Sequence, residues 1–222
     1  MQSAAGRLAE VQAKIDRAAK LAGRPLGSVT LIAVSKTRSV EEVESLIAAG
    51  HRDFGENRVQ EAQAKWLPLR ERYPELRLHM IGRLQSNKAE EAVRLFDCIH
   101  TVDRPSLVRA LEAAIAKAKR RPDCFLQVNI GEEPQKGGCA IASLPALVEQ
   151  ARDLPIVGLM AIPPEGLEAA PYFALLAKLA RRHGVESLSM GMSADYESAV
   201  MIGATHVRVG TALFGTREPE NG

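Results

Sequence analysis

Apolar residues recur along this chain in two alternating rhythms. Short runs dense in Val, Ile and Leu, such as VTLIAVSK at 29–36, alternate with longer stretches whose apolar residues return every three or four positions. The short runs are nearly continuous rather than alternating, which marks strands covered on both faces, as in parallel sheets. The longer stretches carry the helical period. Strands are predicted at 29–36, 52–55, 78–82, 98–102, 125–130, 156–160, 187–190 and 206–209. Helices are predicted between them at 40–49, 59–66, 88–95, 106–120, 144–152, 168–183 and 196–202. A further helix at 4–22 precedes the first strand, with Leu8, Val11, Ile15 and Leu21 near one face and Gly23 and Pro25 as its stop.

Regular βα alternation argues for parallel strands joined by helical crossovers. Eight strand candidates favour a closed (β/α)8 TIM-type barrel. A chain of 222 residues is slightly short of the usual ~250 for that fold. Only a brief tail follows the last strand, so the N-terminal helix is expected to pack where a final helix would otherwise lie. The competing architecture, an open doubly wound sheet, calls for a glycine-rich phosphate loop after the first strand. Ser35, Lys36, Thr37 and Arg38 stand there instead. With no linker or low-complexity segment, residues 1–222 read as a single domain.

Composition adds mostly exclusions. The chain is 46% hydrophobic and 25% charged, with a formal charge of +2, ordinary for a globular protein and no electrostatic case for nucleic acid or an acidic membrane. The basic cluster Lys117, Lys119, Arg120 and Arg121 closes a predicted helix, where cations complement the dipole. Cys98, Cys124 and Cys139 are odd in number and lack a CxxC spacing, which suggests a reducing compartment. The N-terminal helix lacks the apolar core of a signal peptide, and no run approaches membrane-spanning length. The cytoplasm is the expected location. The histidines at 51, 79, 100, 183 and 206 show no metal-ligand spacing, so no metal site is predicted. HExxH, GxSxG, GxxxxGK[ST] and EF-hand patterns are absent.

Chemistry in such barrels gathers where strands end and βα loops begin. Lys36 ends the first strand, on the same side as Ile32 and Val34. An amine there would be partly desolvated, which favours its neutral, nucleophilic form. Taken alone, however, it reads as a lysine snorkelling to solvent. The seventh strand ends in LSMGMSADYESA, where Gly191 turns the chain, Met192 is apolar and Ser193 is suited to cap the next helix. The eighth ends in HVRVGTALFGTR, where Gly210 and Thr211 offer backbone approach and a hydroxyl. Loops after strands seven and eight frequently bind phosphate in this fold. Arg208 faces the barrel while Val207 and Val209 face outward, so its charge needs a partner. Asn57 in FGENRVQE and Ser86 in HMIGRLQSNK are possible helix caps, and Gly82 a turn.

AVSKTR, FGENRVQE, HMIGRLQSNK, GLMAIPP, LSMGMSADYESA and VRVGTALFGTR occur in this order between residues 33 and 217. Together they resemble the pyridoxal phosphate homeostasis protein family over nearly the whole chain. Only the surroundings of Gly138 and Cys139 and the compact segment 164–187 depart from its pattern. The resemblance implies the barrel of the alanine racemase N-terminal domain, with pyridoxal 5′-phosphate (PLP) held as a Schiff base on Lys36. It implies that Asn57 lines the cofactor ring and that Met192, Ser193, Gly210 and Thr211 surround the phosphate. Arg208 would face the pyridine nitrogen, with His79, Met80 and Ser86 near the site. An arginine there opposes protonation of the ring nitrogen and weakens the electron sink. Racemases of this fold also draw an acid or base from a second domain. The expected function is therefore storage and delivery of PLP by a monomer without robust catalysis, apo-enzymes being the recipients. A racemase-like enzyme using the same Lys36 Schiff base is the alternative. A cofactor-free aldolase in which Lys36 takes a sugar phosphate is a further one.

Overall fold

The computed structural model describes residues 2–215. Among them, eight parallel strands close into a barrel in chain order. They are β1 (Thr30–Val34), β2 (Asp53–Glu56), β3 (Arg77–Met80), β4 (Cys98–Val102), β5 (Asp123–Gln127), β6 (Ile156–Met160), β7 (Ser187–Ser189) and β8 (His206–Val209). The outer layer comprises α1 (Ala4–Leu21), α2 (Val40–Ala48), α3 (Val59–Arg72), α4 (Ala89–Leu95), α5 (Pro105–Ala118), α6 (Leu144–Gln150), α7 (Ala170–Arg182) and α8 (Tyr196–Ile202). A one-turn helix, α9 (Thr211–Phe214), follows the last strand. Among these described residues no helix is long and apolar enough to cross a membrane.

The predicted barrel is thus observed, and each predicted strand has its counterpart. The N-terminal helix fills the expected gap: α1 packs against α8, α9 and α2. Arg7 on α1 donates to the carbonyl of Leu213 on α9 at 2.5 Å. The face of α1 is corrected in one place. Val11 and Ile15 are buried with Ala18 and Ala19, whereas Leu21 is 74% exposed. Six positions after Ile15, Leu21 has turned about 240° away from that stripe.

Element ends differ for physical reasons. The first strand stops at Val34 because Thr37, at φ 59°, turns the chain out of the sheet. The third helix runs to Arg72, through Pro68, instead of ending near residue 66. A proline inside a helix removes one hydrogen bond. Here Trp66 and Leu69, both buried on the same face, hold the next turn in place. Arg70 then pairs with Asp97 at 2.6 Å. The strand predicted at 125–130 becomes Asp123–Gln127, followed by an isolated bridge between Val128 and Cys139.

The outward faces of the strands form the main hydrophobic layer beneath the helices, including Leu31, Ala33, Phe54, Leu126, Val207 and Val209. The barrel interior is of a different kind. Cys98, Phe125 and Met160 form a small apolar cluster there. Around it stand rings and charges: His100 stacks on Phe125 at 4.5 Å, and His206 meets Phe125 edge-on at 5.1 Å. All three cysteines are free and buried, as the apolar runs around Cys98 and Cys124 suggested. Burial pushes the Cys124 thiol up to about 12 and the Cys139 thiol up to about 11, which leaves little reactive thiolate.

One buried carboxylate ties the top of the barrel together. Glu56, at the end of β2, is 1% exposed. Its Oε1 accepts from Ser35 Oγ at 2.8 Å, Lys65 Nζ at 2.9 Å and Trp66 Nε1 at 3.0 Å. Lys65 also donates to the Ser35 carbonyl at 2.7 Å. The residue immediately before Lys36 is therefore fixed by side chain and backbone alike. Glu56→Ala removes the acceptor shared by Ser35, Lys65 and Trp66, leaving the buried Trp66 N–H unpaired and the half-buried Lys65 charge without its carboxylate, and should cost about 3 kcal/mol or more in urea denaturation. A loss below about 1 kcal/mol would show that the cluster does not anchor this end of the barrel.

The interior histidines make stability depend on pH. Burial lowers His206 to about 3, and also lowers His51 and, further, His100. The unfolded chain takes up protons on these rings below about pH 6.5, while the folded chain resists. Their contribution is present above pH 6.5 and is lost as pH falls towards 3. His206 alone should add a slope of up to about 1.4 kcal/mol per pH unit in that window. Denaturation midpoints at pH 7 and pH 5 should therefore differ more in the native protein than in His206→Asn.

Candidate functional site

Strand register brings the predicted residues to one rim. Ile32 pairs with Arg208 and Ala33 with Val209 across β1 and β8. Val34 pairs with Gly55 across β1 and β2. Lys36 lies two residues past Val34, and Asn57 two residues past Gly55, so the two stand level on neighbouring strand ends. Gly210 follows Val209 on the other side of Lys36. A Cβ at Gly210 would stand 3.5 Å from that of Val34, so the missing side chain leaves room directly beside the end of β1.

Lys36 is exposed in this rim. The partial desolvation expected for its amine is not found, because the chain turns outward immediately after it. The snorkelling description fits the side chain as it stands. Accessibility of that kind lets a carbonyl compound reach the amine directly.

The two loops after β7 and β8 are bonded to each other. Ser193 Oγ accepts from the Gly210 amide at 3.3 Å. Ser193 does not cap α8, as the sequence suggested. Asp195 sits at the cap position and accepts from the Met192 amide at 2.6 Å. Gly191 makes the turn possible. Its φ is +94°, and a Cβ there would meet that of Ala199 at 2.6 Å, so both conformation and space require glycine. Met192, Ser193 and Thr211 are all exposed at this rim. The last two residues of VRVGTALFGTR, Thr216 and Arg217, lie outside the described residues.

Arg208 is 4% exposed and faces the interior, as its alternation with the valines predicts. Nη1 donates to Ser189 Oγ at 2.6 Å and Nη2 to the Ala161 carbonyl at 3.0 Å. Burial lowers it to about 10, with the Asp195 carboxylate working against that shift. It remains a cation at neutral pH.

Asn57 lines a cavity of about 500 Å³ together with Met80, Arg83, Ser86 and Arg104. A second, of about 760 Å³, is lined by Met192, Asp195, Lys136 and Pro163. Neither Lys36 nor Arg208 lines either cavity. Asn57 does not cap α3; its backbone is approached by Gly82, where a Cβ would come within 2.2 Å of the Asn57 carbonyl oxygen. Ser86 accepts from Arg104 Nη2 at 3.3 Å instead of capping.

The backbone of His79 pairs with Gly55, itself level with Val34. The residue is fully buried in the interior and bonded to Asp53 Oδ1 at 2.9 Å, towards the opposite end of the barrel. The fold also brings His79, Cys98 and His100 within 4.8 Å of one another, a cluster that sequence spacing does not reveal. The sequence reading missed Glu56 and Lys65, although both lie in or just after FGENRVQE. The visible signal was a carboxylate at the end of a strand with Lys and Trp one helical face away.

Comparison with known proteins identifies the family and the fold. The alanine racemase N-terminal domain family matches residues 7–218. The pyridoxal phosphate homeostasis protein of Pseudomonas aeruginosa is 43% identical, the match covering 98% of this chain and 97% of that protein. Its counterpart in Escherichia coli is 37% identical with 98% of both chains covered. PipY of Synechococcus elongatus, solved with PLP bound, is 42% identical at a TM-score of 0.76, over 91% of this chain and all of that one. Alanine racemase of Clostridium difficile shares the fold at a TM-score of 0.68 but only 13% identity, and this chain covers 57% of it. Matched over nearly its whole length by that domain family and by these relatives, the chain belongs to the pyridoxal phosphate homeostasis protein family and has the alanine racemase N-terminal domain fold.

Proposed function

We propose that this protein binds PLP at the C-terminal rim of the barrel, as a Schiff base on Lys36, and takes part in cellular PLP homeostasis by holding and delivering the cofactor. The observation that carries the reading is the pairing of β1 with β8. It sets an accessible lysine amine beside the Gly210 loop, to which the Ser193 loop is bonded, with the buried Arg208 cation beneath. The residues fit the cofactor's chemistry. A primary amine meets an aldehyde, and hydroxyls and backbone N–H groups of Ser193, Gly210 and Thr211 meet a phosphate. Met192 stands with them on the phosphate side, Asn57 borders the ring, and a cation meets a ring nitrogen that carries no proton.

Bound PLP supplies an electrophilic carbonyl and a conjugated ring able to withdraw electrons. What the chain adds decides how far that power is used. Arg208 opposes protonation of the ring nitrogen by charge repulsion, which limits electron withdrawal. Glu56 and Lys65 hold Ser35, and with it the base of Lys36. The exposure of Lys36 favours exchange of cofactor with the surroundings over sequestered chemistry. We therefore read the protein as a cytoplasmic carrier, acting as one monomeric barrel unit with PLP-requiring apo-enzymes as recipients.

Lys36→Ala should abolish the absorbance of the bound chromophore after PLP addition. Because Lys36 is exposed, stability should change by less than about 0.5 kcal/mol. A chromophore retained at native intensity would place the cofactor elsewhere. Arg208→Glu should shift the absorbance of the loaded protein, since a carboxylate favours ring protonation where the guanidinium opposes it. An unchanged spectrum would remove the role given to Arg208.

A further inference from the structure

A continuous line of polar groups crosses the barrel interior from its N-terminal end to the floor of the rim. Asp53 Oδ1 lies 2.9 Å from His79 Nε2, and His79 Nδ1 lies 3.0 Å from His100 Nε2. His100 Nδ1 lies 2.8 Å from Ser189 Oγ, which in turn lies 2.6 Å from Arg208 Nη1. His79, His100 and Ser189 are 0% exposed and Arg208 is 4% exposed. The members come from β2, β3, β4, β7 and β8, so barrel closure alone assembles them.

Donors and acceptors fix the direction of the line. A guanidinium can only donate, so Ser189 Oγ accepts from Arg208. The Ser189 hydroxyl proton then goes to His100 Nδ1, its remaining partner among the described residues. His100 therefore carries its hydrogen on Nε2 and donates to His79 Nδ1. His79 carries its hydrogen on Nε2 and donates to the Asp53 carboxylate. Burial alone would raise Asp53, yet the hydrogen bond from His79 and the nearby Arg77 guanidinium hold its carboxyl below the usual value. In this arrangement the Ser189 hydroxyl hydrogen and both ring hydrogens have acceptors, and each ring carries one proton. Running the line the other way turns a ring lone pair towards a carboxylate or strands the Ser189 proton, both costly in a dry interior.

We propose that Asp53, His79, His100 and Ser189 form a one-way hydrogen-bond relay that locks Arg208 in position as the cationic floor of the cofactor site. This rests on the cofactor assignment above and extends it to four residues that touch no part of the rim. The relay commits the Ser189 proton to His100, so the serine always presents a lone pair to the guanidinium. The Ala161 carbonyl takes a second N–H. Two of the five guanidinium donors are thereby fixed in direction, and the plane of the group with them. A fixed cation sets the electronic state of whatever ring nitrogen meets it. The four residues are positioning residues for that cation.

The relay is tested first without cofactor, by long-range ¹H–¹⁵N spectra of the histidine rings in the full-length protein. His79 and His100 should both appear as neutral Nε2–H forms, and Ser189→Ala should shift the His100 ring signals. A His100 proton on Nδ1, or a doubly protonated His79, overturns the proposal. So does loss of the shared ring proton on adding zinc, which would make His79, Cys98 and His100 a metal site instead. PLP is then added to the native protein and to Ser189→Ala, with folding checked by circular dichroism. The variant should still attach cofactor to Lys36, but with a shifted absorbance maximum and an affinity lower by roughly 3- to 10-fold. Native spectrum and affinity in a folded Ser189→Ala overturn the relay. If the native protein itself attaches no PLP, the cofactor assignment fails, while the ring tautomers still decide whether the relay exists.

Discussion

A guanidinium enclosed by a barrel must be solvated by the protein, and the interior of this barrel is arranged around that requirement. Arg208 sits where small barrels of this fold usually carry branched aliphatic side chains. Its charge is met by the Ser189 hydroxyl and the Ala161 carbonyl, with the Asp195 carboxylate nearby. Satisfying Ser189 brings in His100, satisfying His100 brings in His79, and His79 ends on Asp53. One buried cation thus accounts for a line of polar residues in a place that packing alone would fill with Val and Leu. The acid sensitivity expected of the protein has a separate source, the burial of His206, His100 and His51.

The same closure of the barrel defines the rim. Pairing of β1 with β8 sets Lys36 beside the Gly210 loop, and pairing with β2 sets it level with Asn57. Glu56 and Lys65 then remove freedom from Ser35 without burying Lys36 itself. A rigid base carrying an accessible amine suits a protein that must both load and release an aldehyde. A cationic floor suits one that keeps the bound ring from becoming a strong electron sink. Both properties suit the proposed holding and delivery of the cofactor.

Much of this was legible in the sequence. Near-continuous apolar runs such as 29–36 signal strands buried on both faces, and their alternation with helical periods gives the barrel. The valines flanking Arg208 revealed its orientation, and glycine at 191 revealed the turn. Other features depend on partners distant in sequence. The interior partners of His79, Asp53 and His100, were not visible, because which residues meet across a barrel depends on strand register. Ser193 looked like a cap because it precedes a helix, but a loop 17 residues away supplies its partner. Glu56 looked like a strand-end charge, and only the packing of α3 makes it an anchor. Helix propensity likewise stops at Pro68, while the burial of Leu69 carries the helix on.

Peptide mapping by mass spectrometry, after PLP saturation and borohydride reduction, tests the central claim most directly. The account predicts one reduced cofactor adduct, on the peptide that contains Lys36. An adduct confined to another lysine, or none in a saturated sample, would contradict it.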